Sequence, residues 1–312
     1  MPDSASSHAV ADARRHVVER LEETGLVRFR PGADEVVYHY TDVEAVLAIL
    51  EQGTLRASSV THLNDRMEYR LGASRFAEAL RDTRAPGVAV IRDRVLDEMD
   101  DERAQLRRRL DVFNCSFSYE GDLLSQWRGY ARDGTGYAIG FDARALADLL
   151  RPAGWTYRVV YDEEAQREIA RVALDAFWNW RAGSGLPDDA AAGLAYDVIG
   201  VLSPMMKHPG YSEEVEFRYV VHQQHGRHRD RLRVRARGGG LVPYLELYTA
   251  RRDAASGGEV PVALPIRRIV VGPCHDFAKE AHCLRILLEQ QGLGGGDVEI
   301  ASSKVPYLMR PW

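Results

Sequence analysis

Apolar residues recur along the chain with two periods, and each period predicts one kind of element. Spacings of three and four predict amphipathic helices, and strict alternation predicts strands with one buried face. The predicted helices are 9–23, 41–52, 70–110, 123–131, 163–182, 188–206 and 277–291. The predicted strands are 36–40, 55–58, 112–118, 137–141, 155–161, 211–221, 231–237, 241–247, 266–271 and 298–301.

These elements do not alternate regularly, which favours a mixed α+β fold over a doubly wound parallel sheet. No internal repeat and no abrupt change in composition marks a linker. We therefore predict an N-terminal helical extension, residues 1–30, followed by a single α+β domain, residues 31–312.

The second predicted helix has clear signals at both ends. Thr41 and Glu44 match the S/T-x-x-E capping box, which predicts that the helix begins at Thr41. Gly53 is suited to the left-handed position that ends many helices. His39 then lies near the end of the strand that precedes this helix.

The predicted strand 211–221 has one acidic face. Alternation places Glu214, Glu216 and Arg218 on one face and apolar residues on the other. Carboxylates two positions apart on a strand lie roughly 7 Å apart, so each raises the pKa of the other unless a cation compensates. This face is either a site that stabilises positive charge or a solvated surface with one ion pair.

Two further predicted strands have a polar face opposite an apolar one. His39 and Thr41 share a face of the first strand, and Ser116 and Ser118 share a face of strand 112–118. If these strands join Glu216 in one sheet or in two packed sheets, their polar residues meet at one cleft. Taken singly, a strand histidine is usually structural, and serines are common on exposed faces.

Composition limits the class of protein. The 312 residues have a net charge of −5 and a pI near 6.1, which argues against nucleic-acid binding through overall charge. Three cysteines suit a reducing compartment better than a disulfide framework. The N-terminus has no signal-peptide pattern and no apolar run is long enough to span a bilayer. We expect a cytoplasmic protein without membrane contact.

The segment 231–237 alternates strictly, with four arginines on one face. Such a face suits phosphate recognition, or it pairs across the sheet with carboxylates. Cys274, His275, His282 and Cys283 lack the usual zinc spacing, so we expect no metal. No glycine-rich loop opens a helix, which argues against a Rossmann or P-loop nucleotide site.

A set of short motifs resembles the bacterial family known as domain of unknown function 2971. The resemblance spans about residues 36 to 310 and implies no established activity. The residues that carry it are Tyr38-His39-Tyr40-Thr41, Ile49-Leu50, Gly53-Thr54-Leu55, Asn64-Asp65, Glu68, Phe117-Ser118, Leu124 to Trp127, Tyr130-Ala131, Gly136, Gly140-Phe141, Glu214 to Arg218, Val271 to Pro273 and Pro306-Tyr307.

More distantly, the order of these landmarks is similar to that of ADP-ribosyltransferases, which split NAD between ribose and nicotinamide. The resemblance implies mixed or antiparallel sheets with flanking helices. It implies that His39 holds the ribose or phosphate and that Glu216 bonds the ribose 2′-hydroxyl. Ser116, Ser118 or a stacking Tyr130 would shape the nicotinamide pocket, although the tyrosine that some members have on the second strand is missing.

On this basis we predict an NAD-consuming enzyme that transfers ADP-ribose to a protein or nucleic-acid acceptor, in a toxin, effector or phage-defence role. The alternatives are a non-enzymatic nucleotide- or nucleic-acid-binding module that uses the arginine strand, and an NAD glycohydrolase. The predicted catalytic residues are Glu216, Glu214 and His39. The predicted NAD-binding residues are His39, Tyr40, Thr41, Ser116, Ser118, Trp127, Tyr130 and Arg218.

Overall fold

The structure is a computed structural model that describes residues 4–62, 68–85, 87–101, 111–150, 154–222, 229–237, 239–248, 250–252, 259–261, 263–293 and 296–307. Its helices α1–α9 span Ser4–Glu23, Val43–Gln52, Glu68–Asp82, Ala89–Asp100, Leu124–Tyr130, Ala143–Leu150, Glu163–Ser184, Asp188–Leu202 and Phe277–Gln290. Its strands β1–β12 span Val36–Thr41, Thr54–Ser59, Val112–Ser118, Tyr137–Asp142, Trp155–Arg158, Glu216–His222, Leu232–Arg237, Gly240–Tyr248, Ala250–Arg252, Glu259–Pro261, Ile266–Val271 and Glu299–Ser302.

Most of the strands form one sheet, in the order β12-β11-β4-β1-β3-β2-β8-β7, and β6 pairs with β3 and with β5. Within the described ranges every strand pair of this sheet is antiparallel except β11 with β12. Strands β9 and β10 form a separate antiparallel pair. The predicted mixed α+β class is confirmed.

The sheet divides at β3. One edge of β3 pairs with β6 along its whole length, from Val112 to Ser118. The other edge pairs with β1 only at Ser118 and with β2 only at Phe113 and Asn114. Strands β1 and β2 therefore diverge from their shared neighbour, and a gap opens beside the middle of β3.

The two faces of the sheet are covered differently. One face packs against α2, α6 and α9 and forms a core that includes Phe113, Phe117 and Phe217. On the opposite face, helices α1, α3, α4, α7 and α8 cover β5 and the far ends of β3 and β6. A small cluster around Trp127 covers β1, β4 and β11 on that face. Polar side chains of β2, β3 and β6 lie between these two covers.

The N-terminal helix α1 packs against α7, and its Ala13, Val17 and Leu21 are fully buried in the helical core. None of the helices in the described ranges has the length and apolar character needed to cross a bilayer.

The prediction of one strand over residues 211–221 is wrong in its first half. Residues Pro209–Glu214 form a 3₁₀ helix, and β6 begins only at Glu216. Between them Val215 adopts a left-handed conformation, with φ of 44°. A β-branched residue rarely has positive φ, so alternation alone does not indicate this turn.

Two other predictions change in detail. Asp42, not Thr41, caps α2, because its side chain accepts a hydrogen bond from the backbone nitrogen of Ala45 at 2.9 Å. Gly53 is left-handed, as predicted. The predicted helix 70–110 is interrupted between α3 and α4, and its last part lies outside the described residues. Helix α6 follows β4 directly and is not among the predicted helices, although its buried residues Ala143, Leu146, Ala147 and Leu150 recur at helical spacing.

We predict that Gly72→Ala lowers the free energy of unfolding by about 3 kcal/mol, since overpacking against backbone allows little relaxation. A Cβ at Gly72 in α3 would lie 2.1 Å from the carbonyl oxygen of Ser203. Gly193→Ala in α8 is the control, because its Cβ would meet no atom within 4 Å. The control substitution should raise the free energy of unfolding by up to about 1 kcal/mol, because alanine has a higher helix propensity than glycine. Equal urea midpoints for the two variants would contradict the packing argument.

Candidate functional site

A cavity of about 740 Å³ lies at the gap between β1 and β2. Its lining combines residues of β1, β2, β3 and β6 with residues of α2 and with Arg235 of β7. Three residues that the sequence analysis placed on separate strands, His39, Ser116 and Glu216, all line this cavity.

His39 occupies the place where β1 leaves β3. Its Nδ1 lies 2.9 Å from the backbone carbonyl oxygen of Ser116, in the stretch of β3 that neither β1 nor β2 pairs. Because a carbonyl oxygen can only accept, Nδ1 carries the proton in this contact. In the neutral ring, Nε2 is then the acceptor.

The two serines of β3 have different positions. Ser116 lines the cavity, and its Oγ accepts a hydrogen bond from Asn114 Nδ2 at 3.1 Å. Ser118 is buried outside the cavity lining, and its Oγ donates to the backbone carbonyl oxygen of Glu214 at 2.7 Å. Ser118 therefore fixes the chain just before β6.

Glu216 is held between two cations. Its Oε1 accepts a hydrogen bond from Lys207 Nζ, and its Oε2 lies 2.5 Å from Arg218 Nε. All three side chains are at most 5% exposed. Arg218 also donates from a terminal nitrogen to the carbonyl oxygen of Pro204 at 2.7 Å, and the hydroxyl of Tyr161 accepts from the backbone nitrogen of Glu216 at 3.0 Å.

Glu214 joins the same network from a different direction. Its carboxylate contacts Lys207 Nζ, but the residue does not line the cavity. The left-handed conformation of Val215 turns the chain between the two glutamates, so both reach one ammonium group. The backbone nitrogen of Tyr119 stabilises this turn by donating to the Val215 carbonyl oxygen at 3.0 Å.

The pKa values of the two carboxyl groups are shifted in opposite directions. Burial raises the pKa of Glu216, but the charge of Arg218, the hydrogen bond to Glu214 and the charge of Lys207 outweigh burial and hold the pKa well below the ordinary range. Burial, with the neighbouring Glu216, raises the pKa of Glu214 against the opposing effect of Lys207. Glu216 is therefore the ionised member of the pair, and Glu214 is the member that takes up a proton.

The other predicted NAD-binding residues near β1 and α5 are divided between the cavity and the core. Tyr40, Thr41 and Tyr130 line the cavity. The Tyr40 hydroxyl donates to the Glu120 carbonyl oxygen at 2.9 Å, and burial raises the pKa of Tyr40 above its ordinary value. Trp127 is fully buried outside the lining, and its Nε1 donates to Asp122 at 2.8 Å.

The arginines of segment 231–237 do not act as one surface. Arg233 lies 3.5 Å from Glu246, and Arg231 lies 3.9 Å from Asp230. Arg235 reaches the cavity, where it donates to Ser58 Oγ at 3.0 Å. The side chain of Arg237 lies outside the described residues.

Lys207 is the site residue that the sequence analysis missed. It follows the apolar pair Met205 and Met206, and both are fully buried. Only three of the 41 basic residues of the chain are lysines, so a lysine next to an apolar run was the available signal. In the parts of the chain that the structure describes, no group of three or more His, Cys, Asp or Glu residues is arranged to hold a metal ion.

We predict that Lys207→Met lowers the free energy of unfolding by about 3–5 kcal/mol, because it leaves buried carboxylates without one of their cations. The matched control is Lys279→Met, since Lys279 is 80% exposed and its ion pair with Asp276 contributes little. Denaturant titration of both variants measures the difference. Similar midpoints would show that Lys207 does not stabilise the network.

We predict that Glu214 makes stability depend on pH. Its pKa is raised in the folded state. Its contribution to the free energy of unfolding is therefore fully present below the ordinary glutamate pKa of about 4.3 and is lost as the pH rises through the raised pKa. Between pH 5 and pH 8 the wild type should lose stability relative to Glu214→Gln, by on the order of 1 kcal/mol. The exposed neighbour variant Glu213→Gln should follow the wild type, and a Glu214→Gln curve parallel to both would contradict the assignment.

Comparison with known proteins gives one local match. The family described as "Protein of unknown function (DUF2971)" matches residues 126–219. The matched segment runs from α5 into β6 and so contains Lys207, Glu214, Glu216 and Arg218, but not His39 or Ser116. Neither the search of curated proteins nor that of solved structures gave a match. Over residues 126–219 the chain is therefore similar to the family described as DUF2971.

Proposed function

We propose that the protein binds NAD in the cavity at the divided sheet, cleaves the bond between nicotinamide and ribose, and transfers ADP-ribose to a macromolecular acceptor. The observation that carries this proposal is that His39, Ser116 and Glu216 line one cavity. The resemblance to ADP-ribosyltransferases assigns these three landmarks to the NAD site. A toxin, effector or phage-defence role would suit such a transferase.

The size and charge of the cavity support a nucleotide ligand. Its volume of about 740 Å³ falls within the range of roughly 300–1,000 Å³ that is usual for ligand sites. The described lining residues include five cationic side chains and three carboxylates. This excess of positive charge favours an anionic ligand. The charged residues are Arg56, Arg132, Lys207, Arg218 and Arg235 against Asp42, Glu44 and Glu216.

In the proposed reaction, the bond between ribose C1′ and the nicotinamide nitrogen breaks. Its electron pair leaves with nicotinamide, which changes from a cation into a neutral molecule, so the leaving group needs no acid. The ribosyl carbon becomes cationic and is attacked by a nucleophile of the acceptor, whose proton passes to water. An ionised carboxylate beside the ribosyl cation stabilises it, as in glycosidases.

Glu216 is suited to stabilise this cation because its neighbours keep it ionised and fixed. Lys207 and Arg218 each bind one of its oxygens, and with the hydrogen bond from Glu214 they use three of its four lone pairs, which leaves one to accept a ribose hydroxyl. We assign Glu214 a positioning role rather than direct contact with the acceptor, since it contacts Lys207 and Glu216 and lies outside the lining. Nε2 of His39 would accept a second ribose hydroxyl.

We predict that Glu216→Gln lowers the rate of nicotinamide release from NAD by about 10²–10³-fold, which is the usual effect of removing one electrostatic stabiliser of a transition state. Released nicotinamide is quantified by chromatography, and NAD binding is measured by calorimetry on the same sample. The control Glu213→Gln changes an exposed glutamate in the preceding turn and should retain full activity. An unchanged rate in a folded Glu216→Gln variant would remove Glu216 from the mechanism.

A non-enzymatic nucleotide-binding protein is the second candidate, and one observation favours it. Both oxygens of Glu216 already contact a cation, which reduces the negative charge that a substrate would meet. Wild-type protein that binds NAD and returns it intact would support this candidate. Free ADP-ribose as the sole product would instead indicate an NAD glycohydrolase.

A further inference from the structure

The charged residues that line the cavity are not evenly distributed. Asp42 and Glu44 each lie 3.3 Å from Arg132, and Glu216 contacts Lys207 and Arg218. Once these groups are set aside, the remaining charged residues of the described lining are two guanidinium groups, Arg56 and Arg235. These two residues, the arginine pair, are therefore the lining cations that lie outside the two groups just described.

The arginine pair is built from neighbouring strands. The guanidinium carbons of Arg56 on β2 and Arg235 on β7 lie 5.1 and 5.7 Å from the ring centre of Tyr244 on β8. Arg235 also donates to Ser58 Oγ at 3.0 Å, and Ser58 is only 6% exposed. Cation–π contact with one shared ring orients both planar groups without neutralising their charge.

The carboxylate that faces Arg56 is directed elsewhere. Glu246 on β8 lies opposite Arg56 in the β2–β8 pair, but its Oε2 lies 3.5 Å from Arg233 Nε. Arg56 has no ion pair with a carboxylate among the described residues. An anionic ligand in the cavity would therefore supply Arg56 with a counter-charge.

We infer that the arginine pair, with the hydroxyl of Ser58, is a binding subsite for the phosphate groups of a nucleotide. Arginine is suited to this ligand because its planar fork donates two parallel hydrogen bonds to phosphate oxygens. The identity of the nucleotide, a dinucleotide such as NAD, rests on the proposed function. The chemistry of the subsite does not.

The position of the subsite agrees with the proposed site of bond cleavage. Ser58 on β2 lies opposite Asn114 on β3, and Ser116 on β3 lies opposite Arg218 on β6. Glu216 lies opposite Ser118, four residues further along β3 than Asn114. Two strand spacings of about 4.8 Å and four residue rises of about 3.4 Å therefore put the backbone of Glu216 roughly 17 Å from that of Ser58. The side chains of the arginine pair and of Glu216 extend into this span, so a nucleotide would lie between them with its phosphates at the arginine pair and its anomeric carbon towards Glu216.

The experiment compares Arg56→Ala and Arg235→Ala with Arg267→Ala. Arg267 is the control, because it is also a strand arginine but pairs with Asp142, and neither residue lines the cavity. Calorimetry measures binding of ADP-ribose, inorganic pyrophosphate and nicotinamide riboside, and thermal unfolding checks that each variant is folded. Arg56→Lys keeps the charge without the fork and tests the geometry if the alanine variants are unstable.

We expect each alanine variant at the arginine pair to bind ADP-ribose about tenfold or more weakly, while binding of nicotinamide riboside stays unchanged. Arg267→Ala should bind both ligands as the wild type does, and the affinity of Arg56→Lys for ADP-ribose should fall between those of the wild type and Arg56→Ala. Pyrophosphate should compete with ADP-ribose in the wild type, and the competition should weaken at high salt.

The subsite is overturned if the variants at the arginine pair bind ADP-ribose as tightly as Arg267→Ala, or if the wild type binds neither ADP-ribose nor pyrophosphate. It is also overturned if a single-stranded oligonucleotide, but not ADP-ribose, binds through these arginines. Arginine-dependent binding of ADP-ribose without nicotinamide release from NAD would confirm the subsite while rejecting the proposed reaction.

Discussion

The candidate site depends on one buried network of charges at the start of β6. Lys207 contacts both Glu214 and Glu216, and Arg218 contacts Glu216. Buried ions are tolerated only when their charges and hydrogen bonds are compensated, so the elements that bring these side chains together must be placed accurately. The left-handed turn at Val215 is one such element, and a second 3₁₀ segment, Ser203–Met205, which presents the Pro204 carbonyl oxygen to Arg218, is another.

The division of the sheet gives this network a cavity to face. Because β1 and β2 both pair with the same edge of β3 and then diverge, part of that edge has no strand partner. His39 bonds the Ser116 carbonyl oxygen there, which satisfies a backbone group that a continuous sheet would have paired. The gap, the histidine and the polar face of β3 thus arise from one topological feature.

Much of the site was predictable because strand periodicity identifies faces. The alternation in 112–118 correctly separates Ser116 from Phe117, and the pattern around Glu216 correctly places it with Arg218. The same reasoning gave no means to separate Ser116 from Ser118, which share a face but differ in what covers them. It also missed Lys207, because a residue in a short irregular segment follows no period.

By itself, the sequence determined the class of the fold, most element boundaries and the polar faces of three strands. Each of these depends on residues within one or two turns or strand lengths, where local periodicity is sufficient. Only the tertiary structure decided that β1 and β2 share an edge of β3 and that Lys207 joins two glutamates. The pairing of Arg233 with Glu246, and of Arg235 with Ser58, was likewise decided by sheet register. These contacts join residues far apart in the chain, and their energies depend on burial and register, which no local pattern contains.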